Sequence, residues 1–142
     1  MFGIIVGTHG IFSSELVQSC AMICGKKDYV KAVTFVQDES VEKIAEKYQA
    51  AIKELGNPEK ILFLNDLRGG SPYNAACQLV KKNPNYGIVT GVNLPMLISM
   101  VYEEDADIKT LIEKAIFGGS EGMYPATFDS LNAPEEIAEG DE

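Results

Sequence analysis

The chain has little of what most site chemistries require. It holds one histidine, three cysteines, and 12 lysines and arginines against 21 aspartates and glutamates, a net charge of −9. That shortage of bases excludes a nucleic-acid partner, whose phosphates call for a basic face. One imidazole and the spaced pair Cys20 and Cys24 fall short of a metal site. A disulfide inside one helical turn is awkward and three is an odd count, so Cys20, Cys24 and Cys77 are expected as reduced, buried thiols. No apolar run approaches the roughly 20 residues of a membrane span. The opening stretch MFGIIV is too short and lacks the basic flank of a signal peptide, so a cytoplasmic protein is expected. There is no lysine-bearing phosphate loop and no acidic cluster for magnesium, which argues against a nucleotide donor. No metal and no cofactor is expected.

What is present suits one domain with its own core: 142 residues, 46% of them apolar. Much of the negative charge is local. Residues 132–142 contain Glu135, Glu136, Glu139, Asp141 and Glu142 and no base; the remainder has 16 acids against 12 bases, a net of −4. The expected division is a folded domain over 1–131 and a disordered acidic tail over 132–142.

Hydrophobic patterning supplies the elements. Residues 2–6 are an apolar run typical of a doubly buried strand, broken by Gly7-Thr8-His9-Gly10. Helical spacing follows over 13–24, a β-branched strand over 30–36, and an amphipathic helix over 41–55 behind the capping residues Asp38-Glu39-Ser40. A strand at 60–64 leads into NDLRGG, and Ser71-Pro72 starts a helix with serine as its cap. A strand over 86–91 and helices over 94–102 and 107–117 come next. Gly118-Gly119 is expected to stop the last helix, and 123–128 to form a short final strand. The alternation predicts an α/β, doubly wound, mainly parallel sheet of order 2-1-3-4 with helices on both faces. Ligands of such sheets sit at the carboxyl ends of the strands, where the winding reverses.

Two loops at that edge carry the unusual residues. His9 follows the first strand and Asp66 the third; neighbouring strands would bring them side by side. An aspartate on one ring nitrogen fixes the tautomer, leaves the other nitrogen a free lone pair, and steadies the charge that develops when it attacks. Gly69, Gly70 and Ser71 precede a helix N-terminus, where exposed amides and the helix dipole suit an anion such as phosphate. Thr8 and Arg68 are further candidates for the phosphate; tying the loop down and lying in solvent are their structural alternatives. Likewise His9 can be an ordinary loop histidine and Ser71 only a cap. Taken together, nucleophilic imidazole, orienting acid and anion cradle point to a phosphohistidine relay.

In IIVGTHG (4–10), FLNDLRGGSPYNAA (63–76) and GVNLPML (91–97) the chain resembles the mannose-family enzyme IIA of the bacterial phosphoenolpyruvate:sugar phosphotransferase system, over roughly residues 1–131. The resemblance implies that His9 is phosphorylated on Nε2 with Asp66 holding Nδ1, and that Ser71 contacts the phosphoryl group. It implies the histidine phosphocarrier HPr as donor, a IIB subunit as acceptor, and membrane permease components as indirect partners. Since the chain ends in the acidic tail, IIB is expected as a separate polypeptide. A homodimer that can exchange a C-terminal strand, here 123–128, is implied too. Asn93 or its backbone is expected to shape the rim of the pocket. Three rivals stand beside this reading. One is a regulator that uses phosphorylated His9 as a signal, and another is the phosphocarrier of dihydroxyacetone kinase. The third is a Ser71-His9-Asp66 hydrolase, against which stands Pro72, with no N–H for an oxyanion hole.

Overall fold

The computed structural model describes residues 2–135. Strands β1 (Phe2–His9), β2 (Val30–Phe35), β3 (Lys60–Asn65) and β4 (Tyr86–Thr90) form one sheet in the order β2-β1-β3-β4. Every neighbouring pair is parallel, as the alternation of elements predicts. The two central strands are apolar because both of their faces are covered. Ile4, Ile5, Val6, Ile61, Leu62, Phe63 and Leu64 expose nothing. Each such side chain stabilises the fold by about 1.5–3 kcal/mol, which makes the sheet centre a firm base for the loops beyond it.

Helices α1 (Phe12–Cys24), α4 (Leu94–Val101) and α5 (Ile108–Glu121) cover one face through Leu16, Cys20, Leu97, Met100 and Leu111. Helices α2 (Val41–Glu54) and α3 (Ser71–Val80) cover the other through Ile44, Tyr48, Ala75 and Ala76. Ser40 caps α2 by accepting from the Lys43 N–H at 3.1 Å, which is the role its sequence position suggests. A short α6 (Phe128–Leu131) follows. The winding reverses between β1 and β3, so the carboxyl ends of those strands frame the natural site.

Four elements differ from expectation. β1 does not end at Val6 but runs through Gly7 and Thr8 to His9. Gly7 pairs with Val33 and Asn65, and a Cβ on it would lie 2.1 Å from the Tyr48 hydroxyl. The glycine therefore permits a close approach, not a turn. α5 likewise continues through Gly118 and Gly119, because these glycines let it press against α4. A Cβ on Gly118 would meet Ser99 Oγ at 2.1 Å, and one on Gly119 would meet Met96 Cε at 2.8 Å. The cap of α3 is Gly70, and Ser71 is its first helical residue. Residues 123–127 form no strand; they are exposed, and Phe128 already belongs to α6. A strand needs a ladder partner, and among the described residues no strand pairs with this segment.

The three cysteines are free; Cys20 is buried, and burial pushes its thiol up to about 11. Cys24 and Cys77 are half-buried. Among the described residues no group of three or more His, Cys, Asp or Glu is placed to hold a metal ion, and no helix is long and apolar enough to cross a membrane. Of the acidic tail, residues 132–135 are exposed and 136–142 lie outside the described residues.

Candidate active site

His9 closes β1 and Asp66 follows β3. Because these strands are parallel neighbours with Gly7 opposite Asn65, their ends emerge side by side. Asp66 Oδ2 accepts two hydrogen bonds from His9, one from Nδ1 at 2.9 Å and one from the backbone N–H at 3.1 Å. A carboxylate only accepts, so Nδ1 carries a ring proton, and in the neutral imidazole the lone pair is then on Nε2. One oxygen thus aims both the ring and the strand end that bears it. The acid lies beneath, with 20% of its side chain exposed, and the imidazole above, with 43%.

Two further contacts confine the ring. Phe35, at the end of β2, meets it edge-on with centroids 5.5 Å apart. Gly70 is the other, where a Cβ would stand 2.6 Å from His9 Cε1 and 3.2 Å from Nε2. Gly70 has φ −74° and ψ 168°, values open to any residue, so the nearness of the imidazole is what requires a glycine there. Gly69, with φ +83° and nothing near its missing Cβ, is required by the backbone instead.

The N-terminus of α3 therefore abuts the Nε2 edge of the ring. Its amides are not all available. The Gly70 N–H donates to Leu67 O at 3.2 Å, and Asn74 N–H to Gly70 O at 2.9 Å. Pro72 has no N–H. The N–H groups of Ser71 and Tyr73 have no acceptor among the described residues, nor does the Ser71 hydroxyl make a hydrogen bond there. Unpaired donors at a helix start, reinforced by the dipole, hold an anion readily. The Nε2 edge of the imidazole thus stands against the helix end that carries these donors.

The family model described as the PTS (phosphotransferase system) fructose IIA component matches residues 3–116. The chain belongs to the mannose-type PTS enzyme IIA family. It is 36% identical over 122 residues to the mannose-specific EIIAB component of Escherichia coli K12, covering 84% of this chain and 38% of that protein. The enzyme IIA chain thus spans well under half of that relative's length. It is also 36% identical over 101 residues to the fructose-specific EIIA component of Bacillus subtilis, covering 71% of this chain and 69% of that one. A solved mannose/sorbose-specific IIA subunit from Enterococcus faecalis superposes with a TM-score of 0.80 at 26% identity, covering 95% of this chain and 98% of that one.

Within this enzyme IIA chain the remaining candidates separate. Thr8 is fully buried, and its hydroxyl accepts from the Ser13 N–H at 2.6 Å while contacting His9 O at 3.2 Å. It ties the strand end to α1. Arg68 is exposed beside the Tyr73 phenol. Asn93 caps α4 by accepting from Met96 N–H at 2.9 Å and donates to Gly119 O at 3.1 Å, so both ends of its amide serve the α4–α5 joint. No hydrogen bond joins Ser71 Oγ to His9 among the described residues, so the hydrolytic triad is not assembled. Phe35, Tyr48 and Asn65 escaped the sequence reading. Asn65 gave a signal, an amide closing the apolar run Ile61 to Leu64; Phe35 and Tyr48 looked like core.

Proposed function

We propose that the chain is a phosphoryl carrier in sugar uptake, taking phosphate onto His9 Nε2 from phospho-HPr and passing it to a IIB component. The observation that carries this is the 2.9 Å contact of His9 Nδ1 with Asp66, which leaves Nε2 as the open nucleophile at the start of α3. In the transfer, the Nε2 lone pair forms a bond to phosphorus. The P–N bond to the donor histidine breaks, and its electron pair returns to the donor ring. The His9 ring gains positive character, which Asp66 Oδ2 stabilises at hydrogen-bond distance. Negative charge on the transferring oxygens meets the Ser71 and Tyr73 amides and the Ser71 hydroxyl. Delivery to IIB reverses these roles. Alignment and charge stabilisation are the whole task.

The same proposal places the protein in the cytoplasm, with residues 1–131 as the enzyme IIA unit and permease components as indirect partners. It also includes a homodimer. Met123, Tyr124, Phe128 and Leu131 are between 72% and 91% exposed, an apolar stretch that a second copy can cover.

Incubation with phosphoenolpyruvate, enzyme I and HPr, followed by intact-mass measurement, tests the reading. One acid-labile phosphoryl group is expected, absent from His9→Ala and discharged on adding a mannose-family IIB. Phosphate that persists on a His9→Ala variant overturns the assignment. Phosphate that stays on His9 in the presence of IIB points to signalling instead.

A further inference from the structure

Beneath the site lies a polar chain that the transfer itself does not use. Asn65 is fully buried at the end of β3, and its Nδ2 donates to Gly7 O at 2.8 Å and to the Tyr48 hydroxyl at 3.1 Å. Tyr48, fully buried on α2, donates in turn to Pro72 O at 2.9 Å. The chain therefore links three segments. Gly7 stands two residues before His9, Asn65 directly before Asp66, and Pro72 directly after Ser71. These are the pieces whose meeting makes the site.

Apolar residues would fill these positions more simply. Tyr48 packs edge-on against Phe63 with centroids 5.0 Å apart, in a cluster of Ile5, Ile44, Ile52 and Ile61. Phenylalanine would meet the same neighbours. Asn65 leaves its buried Oδ1 without a partner, a cost an apolar side chain would avoid. Gly7 has given up its side chain so that the phenol can lie against β1. Three sequence choices thus serve one hydrogen-bond chain, and buried networks of this kind fix a unique geometry.

We infer that Tyr48 and Asn65 are positioning residues for His9, holding the β1 end, the β3 end and the α3 N-terminus in mutual register. Directionality supports this. The phenol's single hydrogen goes to Pro72, so its oxygen is free to accept from Asn65, and both amide hydrogens of Asn65 are used. Burial holds the Tyr48 pKa above the ordinary phenol value, so the donor persists as pH rises. A shift of about 1 Å between α3 and β1 is enough to misplace the cradle relative to Nε2.

The inference rests on the phosphoryl-carrier reading, and its test has one arm that does not. Tyr48→Phe removes the donor and keeps the ring; Asn65→Leu removes the amide at similar volume. In Tyr48→Phe, single-turnover transfer from phospho-HPr is expected to fall about tenfold, with the KM for the donor unchanged. The 15N signals of the His9 ring are expected to move from the Nδ1–H pattern toward a mixture of tautomers. If neither variant moves the ring signals while circular dichroism shows both folded, the inference is wrong. It is equally wrong if Tyr48→Phe melts earlier yet transfers at the wild-type rate, since the network then contributes stability alone. Should Asn65→Leu fail to fold, Tyr48→Phe decides. Failure of the wild type to accept phosphate would sink the carrier reading, and the ring signals would still test the positioning.

Discussion

Replacing Gly70 with alanine isolates the contact between the α3 N-terminus and the imidazole. The backbone admits alanine without strain at φ −74° and ψ 168°. The new methyl, however, would start 2.6 Å from His9 Cε1, well inside contact distance. The ring is the softer party, since 43% of the side chain is already exposed and it can swing outward. Swinging stretches or breaks the 2.9 Å bond from Nδ1 to Asp66. A hydrogen bond to a charged group contributes about 1.5–3 kcal/mol. If that much is lost from the transition state, transfer slows by roughly 10- to 150-fold, at about 1.4 kcal/mol per decade. The fold should hardly notice, because the displaced ring moves into water and Asp66 still accepts the His9 N–H. Quenched time courses read by intact mass give the rate, and thermal melts give the stability. Gly69→Ala is the matched control. Its φ of +83° imposes about 1–2 kcal/mol of strain, while its Cβ meets nothing. That variant should melt earlier and transfer near the wild-type rate. Wild-type transfer by folded Gly70→Ala would refute the claim that the glycine makes room for the ring.

Three other outcomes follow from the same geometry. Asp66→Ala should slow single-turnover transfer by about 10- to 100-fold, since it removes a charged hydrogen-bond partner and frees both tautomers; 15N spectra of the ring check the cause. Gly7→Ala should destabilise by about 1–3 kcal/mol in urea titrations, because its methyl would collide with the buried Tyr48 hydroxyl. Asp105, hydrogen-bonded by Lys60, is held down at about 2 from an ordinary 3.8. A depressed carboxyl adds stability above its unfolded value and loses it as pH falls through the folded one. Melting temperature should therefore decline between pH 4 and 2 partly through Asp105, and Asp105→Asn should flatten that decline.

The fold was legible where burial leaves a periodic mark. Ile4 to Val6 and Ile61 to Leu64 are apolar without interruption because both faces are covered, which agrees with the central place of β1 and β3. The pairing of His9 with Asp66 was legible for the same reason, since adjacent strand ends must meet. Glycines misled, because one residue type answers two needs. At Gly69 it serves a positive φ, whereas at Gly7, Gly70, Gly118 and Gly119 it clears space for a neighbour, and spacing along the chain cannot tell these apart. Ser71-Pro72 suggested a serine cap, yet Gly70 takes that place and leaves the hydroxyl unused by the helix. Tyr48 was invisible as anything but core, because its position on the apolar stripe of α2 conceals where its hydroxyl points.

An imidazole at the rim of a sheet, with 43% of its side chain exposed, can be visited by macromolecules of different shape and is open to bulk solvent as well. On the phosphoryl-carrier proposal, a phosphoryl group on that ring is exposed to hydrolysis as well as to its next recipient. On that proposal the yield of each cycle depends on how soon the recipient arrives, and so on the concentration of docking partners.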